Sequence, residues 1–288
     1  MQYLIKLLFF ITLPFGLLSQ EKLDPFQIYG PYGADIFEKY TSALLNPENC
    51  YRLRSYNQDL SKSVKKLKKL KKLYVIELKN NNIDSLPEEI SNFRNLMYLK
   101  SSENPIKKLP ESFGLTPNLK SLILHHVQLD SLPITFNQLG SLTELEIQIN
   151  SAKTFITKKS LSGLYNLKSL IIYKNNLTSF PSGLNKNPKL AKVIIINSGL
   201  TQIDSSFALM KNIQTLILDR NKFKEFPKEI FKLKTLKELS LKENQITSLP
   251  EEIIKIEGLK ILDLTGNKIP KSEIDIARIL LPFCKIII

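Results

Sequence analysis

The only imidazoles in the chain, His125 and His126, are adjacent. Imidazole binds metals and moves protons near neutral pH, but either role needs convergent partners. Glu144, Glu146 and Gln148 follow on the next patterned stretch. On an extended chain neighbouring side chains point to opposite faces, so the two histidines diverge. No nucleophile–base motif, Gly-rich phosphate loop or zinc-ligand spacing is present. The reading is therefore a non-enzyme, without catalytic residues, cofactor or metal. A second kind of chemistry is offered by Lys62, Lys65, Lys66, Lys68, Lys69, Lys71 and Lys72, interleaved with Val64, Leu67 and Leu70. This pattern reads as a solvated face over buried aliphatic groups; the sharper alternative is attachment to an anionic surface.

The elements that must hold these residues follow from a repeat. Leu236, Leu239, Leu241, Asn244, Ile246, Leu249 and Pro250 form its clearest unit. The same order recurs 23 residues apart from Leu73, Leu96 and Leu119, and again from Leu167, Leu190, Ile213 and Leu259. The unit from Leu142 is two residues longer, and Cys50 opens a degenerate first unit. Leu239 and Leu241 are two apart, so both face one side of a strand while Ser240 faces the other. Asn244 carries donors and an acceptor that can satisfy the backbone of a buried turn. One unit cannot bury its own apolar groups, whereas a stack shares a continuous core. Val127 and Ser198 replace the asparagine in two units, and Ile156 and Asp204 replace the proline in two.

This pattern resembles the leucine-rich-repeat family in its 23-residue type, L-x-x-L-x-L-x-x-N-x-L-x-x-L-P, in a secreted, bacterial-like form. The resemblance spans about ten units over residues 50–281. It implies an α/β repeat solenoid, an arc with a parallel sheet on the concave face. Short helices, 3₁₀ turns or extended segments are expected on the convex face. Fold alone does not name a partner.

In such an arc the residues between the strand leucines face the concave side. Four residues after each leading position the row reads Arg54, Glu77, Lys100, Ile123, Glu146, Ile171, Ile194, Ile217, Ser240, Asp263. Its ends are polar and its middle is apolar. Ile123, His125, Ile171, Tyr173, Ile194, Ile196 and Ile217 are accordingly the candidate partner-binding patch, because contiguous apolar surface marks interaction sites. β-branched residues also suit strands for packing reasons, which is the plainer account of the same row. An unknown protein ligand is the expected partner. The alternative is a cell-surface or adhesive protein holding an acidic polysaccharide or cell-wall polymer on its basic face.

The chain has 288 residues, 43% of them hydrophobic, and a formal net charge of +14. Such charge ordinarily points to nucleic acid or anionic membranes. The abundance of Lys, Ile and Asn together is also what an AT-rich genome produces, and no nucleic-acid motif is present, so nucleic acid is not expected. Lys6 followed by the apolar run Leu7–Leu18, broken by Thr12, Pro14 and Gly16, reads as a signal peptide over residues 1–19 cleaved near Ser19. The other reading of that run is an uncleaved anchor. Residues 20–49 are expected to form an N-terminal cap, with a helix over Ala34 to Leu45. Residues 282–288 are expected to form a C-terminal cap strand after a helix from Ser272, its N-cap, to Leu281. The expected location is secreted, periplasmic or cell-surface, with no membrane span in the mature chain. Cys50 and Cys284 lie too far apart along such an arc to form a disulfide.

Overall fold

The computed structural model describes residues 24–149, 161–174, 177, 180–181 and 183–288. The apolar run of residues 1–19 lies outside them, as do Asn150, Ala152, Phe155 and Ile156 of the long unit, and Asn175. Among the described residues twelve parallel strands form one unclosed sheet in strict chain order. They are β1 (Ile36–Phe37), β2 (Arg52–Tyr56), β3 (Val75–Lys79), β4 (Tyr98–Ser102), β5 (Ser121–Val127) and β6 (Glu144–Ile149). The arc continues with β7 (Ser169–Tyr173), β8 (Lys192–Ile196), β9 (Thr215–Ile217), β10 (Glu238–Ser240), β11 (Ile261–Asp263) and β12 (Lys285–Ile287). The fold is the α/β repeat solenoid that the family resemblance implies.

Among the described residues most turns of the coil return through a 3₁₀ segment, for example Glu88–Asn92, Glu111–Leu115 and Glu251–Lys255. Pro87, Pro110 and Pro250 stand immediately before these segments with extended backbone. The fixed proline φ suits that entry and forfeits no needed donor. Asp204 does the same work differently: its carboxylate accepts from Ser206 N at 2.9 Å. Ile90, Phe113, Phe136, Phe207, Ile230 and Ile253 drop from these turns into the core. Phe113 and Phe136 stack at 6.4 Å between centroids. Adjacent turns pass so closely at Gly114 that a Cβ there would stand 2.0 Å from Thr135 O.

The asparagines bind successive coils together. Asn221 Nδ2 donates to Ile195 O at 2.7 Å and Leu218 O at 2.8 Å, while its Oδ1 accepts from Ser198 N and Leu200 N. Asn244 and Asn267 repeat the donated bonds, each with one backbone N–H on its Oδ1. At Val127 the amide is missing, and Ile106 N turns instead to Asn104 O at 2.8 Å. The β5–β6 pairing shifts register between Leu124 and Val127.

Both ends are closed. Helix α2 (Tyr40–Leu45) buries Tyr40 and Ala43 against the first coil, and Tyr40 donates to Ser63 O at 2.8 Å. The helix is shorter than expected because Ile36–Phe37 pairs with β2 as an edge strand. At the far end α3 (Lys271–Leu280) buries Ile274 and Ala277, and β12 pairs with β11. Ser272 is not its N-cap. Pro270 occupies that place, and no side chain caps the helix.

Candidate concave binding surface

The strand register brings the predicted row together. Glu146, Ile171, Ile194 and Ile217 are direct neighbours on β6 to β9, as are Gln148, Tyr173 and Ile196 on β6 to β8. Their Cβ atoms share one face because the pleat alternates and no register slip occurs across these strands. Ile171, Tyr173, Ile196 and Ile217 are half-buried. Ile194, flanked in register by Ile171 and Ile217, is only 7% exposed. It forms the floor of the patch, and its four neighbours form the accessible part.

His125 and His126 do diverge. His126 adopts a left-handed backbone, φ 54°, at a position where Asn80, Glu103, Lys174, Asn197, Arg220, Glu243 and Gly266 do the same in other coils. In most coils this turn follows the strand and directs its residue away. His125 stays on the concave side, with Nε2 2.9 Å from Glu146 Oε1. Among the described residues no group of three or more His, Cys, Asp or Glu side chains is placed to hold a metal ion.

Ile123 is a correction to the expected patch, being only 6% exposed. Residues 24–34 cross the concave face as a strap, and Phe26 packs with Val75, Tyr98 and Ile123. The strap begins with a single helical turn, α1 (Pro25–Ile28), capped by Asp24 Oδ1 accepting from Phe26 N at 3.0 Å. Arg54 lies over the Phe26 ring, its guanidinium carbon 4.2 Å from the centroid. Buried Arg52 fastens the strap by donating to the carbonyls of Tyr29, Pro31 and Ala34. These charge-assisted bonds are stronger than neutral ones. Composition marks Phe26 and Tyr29 as apolar but carries no sign that they turn back over strands β2 to β5. Burial lifts the Tyr98 hydroxyl well above the usual tyrosine range, with Glu77, Glu146 and Glu144 adding to it. Burial also raises Tyr173, helped by Glu146.

The apolar floor is bordered by carboxylates. Glu144 and Glu146 stand on β6, and Asp219 follows β9. Burial raises the Asp219 pKa against the bonds it accepts from Ser240 Oγ and Lys242 N, and Asp263 pushes in the same direction as burial. On the concave side Lys100 and Arg54 pair with Glu77 at 2.8 and 3.6 Å. The N-terminal half of the face is therefore filled by the strap and by ion pairs. The apolar row lies beyond them.

Comparison with known proteins agrees with the fold. No curated protein matches the chain in sequence. Among solved structures, TLR13 in complex with ssRNA13 has a TM-score of 0.70 at 23% identity, over 82% of this chain and 35% of that one. An internalin (inlF) from Listeria monocytogenes has a TM-score of 0.64 at 19% identity, over 87% and 76%. The LRR ectodomain of the Arabidopsis receptor kinase HAESA, with a bound IDA peptide hormone, has a TM-score of 0.63 at 21% identity, over 81% and 41%. The chain thus spans less than half the length of the TLR13 and HAESA chains, and these likenesses concern the fold. A leucine-rich repeat region model matches residues 44–228 and a second leucine rich repeat model matches residues 211–269, so the chain belongs to the leucine-rich-repeat family.

Proposed function

We propose that the chain is an exported binding module that recognises a protein partner through its concave face. The site is the row formed by Ile171, Tyr173, Ile196 and Ile217 over the floor of Ile194. The observation that carries this reading is the contrast along one face. At β3 to β5 the apolar concave groups Val75, Tyr98 and Ile123 already hold an aromatic side chain, Phe26. At β7 to β9 the row that continues from Ile123 through Glu146 is apolar again, and its Ile171 and Ile217, with Tyr173 and Ile196 beside them, stand half-buried over Ile194. Related folds are solved with a peptide hormone and with single-stranded RNA, so fold likeness does not choose the partner. The side chains favour protein: an Ile-rich row bordered by carboxylates offers nothing to phosphates, whose binding relies on Lys and Arg.

The polysaccharide reading needs a basic track along the convex face. The positions equivalent to Lys65 and Lys66 in the next coils are Glu88 and Glu89, Glu111 and Ser112, and Ile134 and Thr135. No such track forms there. Export rests on residues 1–19 as a signal peptide, with residues 20–49 as cap, 50–281 as repeats and 282–288 as closing strand. Among the described residues no helix is long and apolar enough to cross a membrane.

The test replaces Ile196 and Ile217 with Lys and compares capture of partners from the native surroundings with wild type. A control carries Lys228→Glu and Lys232→Glu on the convex 3₁₀ segment Lys228–Lys232. Circular dichroism establishes folding. Central interface residues can each contribute about 2 kcal/mol or more, a loss of roughly thirtyfold. A partner retained by the concave variant and lost by the convex one refutes the site. N-terminal sequencing of the native protein tests export: a start near Gln20 is expected, and an intact Met1 in a soluble intracellular fraction refutes it.

A further inference from the structure

The first coil carries a feature that concave binding does not use. Its 3₁₀ segment, Val64–Lys69, is pinned from below by buried Val64, Leu67 and Leu70. Lys62, Lys65, Lys66, Lys68, Lys69 and Lys71 therefore project outward and are exposed. Lys68 pairs with Glu89 at 3.1 Å and Lys72 with Glu48 at 3.2 Å. Among the described residues the other five lysines make no ion pair. Asp59 lies near Lys62, and Glu89 also feels Lys65. Glu88 stands beside Lys65 and Glu89 on the next coil, so among the described residues seven lysines face four carboxylates on one small convex patch.

Two further observations bear on what this patch fits. The charge is local, because acidic and neutral residues replace Lys65 and Lys66 at the same turn positions of the next coils. A linear polyanion running along the arc would leave the basic patch after one coil, whereas a flat anionic surface needs only that one patch. Second, an exposed apolar group stands on the helix packed against this coil. Helix α2 packs against this coil through the Tyr40–Ser63 bond, and the Lys72–Glu48 pair ties the segment after it to the same place. Leu45, the last residue of α2, is 82% exposed. Clustered Lys charge beside a projecting aliphatic side chain is the combination that peripheral membrane contacts use: the charges hold the anionic headgroups and the apolar group enters the acyl boundary.

We infer that the Lys62–Lys72 coil and Leu45 form a docking site for an anionic lipid surface. The site occupies the convex side of the N-terminal coil, so the concave row stays open to a partner while the chain is held at a bilayer. Juxtaposed lysines each strengthen attachment to an anionic bilayer about fivefold. The attraction falls as salt shortens the Debye length.

The experiment is co-sedimentation of the full chain with phosphatidylcholine vesicles, with or without about one-third phosphatidylserine. The apolar N-terminal run is present in every variant, so differences between variants do not come from it. Lys65→Glu, Lys66→Glu and Lys69→Glu together should lower binding to the anionic vesicles by at least about a hundredfold. These exposed side chains support no core contact, and circular dichroism should be unchanged. Leu45→Ser should weaken vesicle binding severalfold and leave binding to soluble polygalacturonate unaltered. Equal binding to neutral and anionic vesicles overturns the inference, as does full binding by the triple variant. Polygalacturonate binding stronger than vesicle binding at equal charge concentration, with Leu45→Ser altering neither, replaces the lipid with an acidic polymer.

Discussion

The asparagine ladder allows a graded test, because two members make different numbers of irreplaceable bonds. Asn221 Oδ1 is the acceptor for Ser198 N at 3.1 Å and Leu200 N at 3.2 Å. Among the described residues Asn244 Oδ1 accepts from Phe223 N alone, at 3.2 Å. Loss of either amide leaves Leu218 O with one side-chain donor, since both Asn221 and Asn244 donate to it. Asn221→Ala therefore orphans two backbone donors and Asn244→Ala one. An unsatisfied buried donor costs about 1–3 kcal/mol. The expected losses are about 3–4 kcal/mol for Asn221→Ala and about 1–2 kcal/mol for Asn244→Ala. Urea unfolding followed by circular dichroism reads them as midpoint shifts. With a slope near 3 kcal/mol per molar, Asn221→Ala should move the midpoint down by about 1 M and Asn244→Ala by about half that. Equal shifts would mean that the number of stranded donors does not set the cost. An unchanged midpoint for both would remove the ladder as a source of stability.

Val127→Asn should lower stability by about 1–2 kcal/mol in the same melts, because Val127 is fully buried and Ile106 N already has Asn104 O as its acceptor; a rise in midpoint would show that the gap is a defect the amide repairs. Asp219 has its pKa raised by burial, so its charged form is disfavoured in the folded state and stability increases as pH falls through that raised pKa. Asp219→Asn should accordingly stabilise at neutral pH, with the advantage vanishing at acid pH where the wild-type carboxyl is also neutral; an advantage that persists under acid conditions would place its cause elsewhere. Burial pushes the Cys50 thiol up to about 12 and that of Cys284 up to about 11. Iodoacetamide at neutral pH should therefore modify half-buried Cys284 slowly and Cys50 only after unfolding, and non-reducing mass spectrometry should yield no Cys50–Cys284 peptide.

What the sequence makes legible is whatever every coil must repeat. Each coil has to bury its leading aliphatic residues and satisfy its turn, so Leu239, Leu241 and Asn244 announce the strand, its inward face and its ladder bond together. A constant period also fixes the register, which is why Ile171, Ile194 and Ile217 prove to be neighbours. Features that occur once leave no such trace. The placement of Phe26 over Val75, Tyr98 and Ile123 depends on a chain reversal near Pro31 and on the three bonds from Arg52, none of which has a periodic counterpart. Ile123 therefore reads as exposed from its row and is covered in the fold. The burial of Ile194 is likewise set by the side chains on either side, which a row-by-row reading treats as independent.

The coil in which Val127 replaces the ladder asparagine also divides the face. Val127 lacks the amide, the β5–β6 register shifts beside it, and His125 pairs with Glu146 across the same junction. On one side lie the strap and the Glu77 ion pairs; on the other lie the apolar row and the Asn221, Asn244 and Asn267 ladder. The carbonyls that this ladder holds, Ile195 O and Leu218 O, belong to residues whose neighbours Ile194, Ile196 and Ile217 form the proposed site. A packed interface requires its aliphatic groups to stay in one register, and the ladder fixes the backbone that carries them. The amide of Asn221 thus serves the concave face from the opposite side of the sheet. Its removal should weaken partner binding even in the fraction of molecules that remains folded.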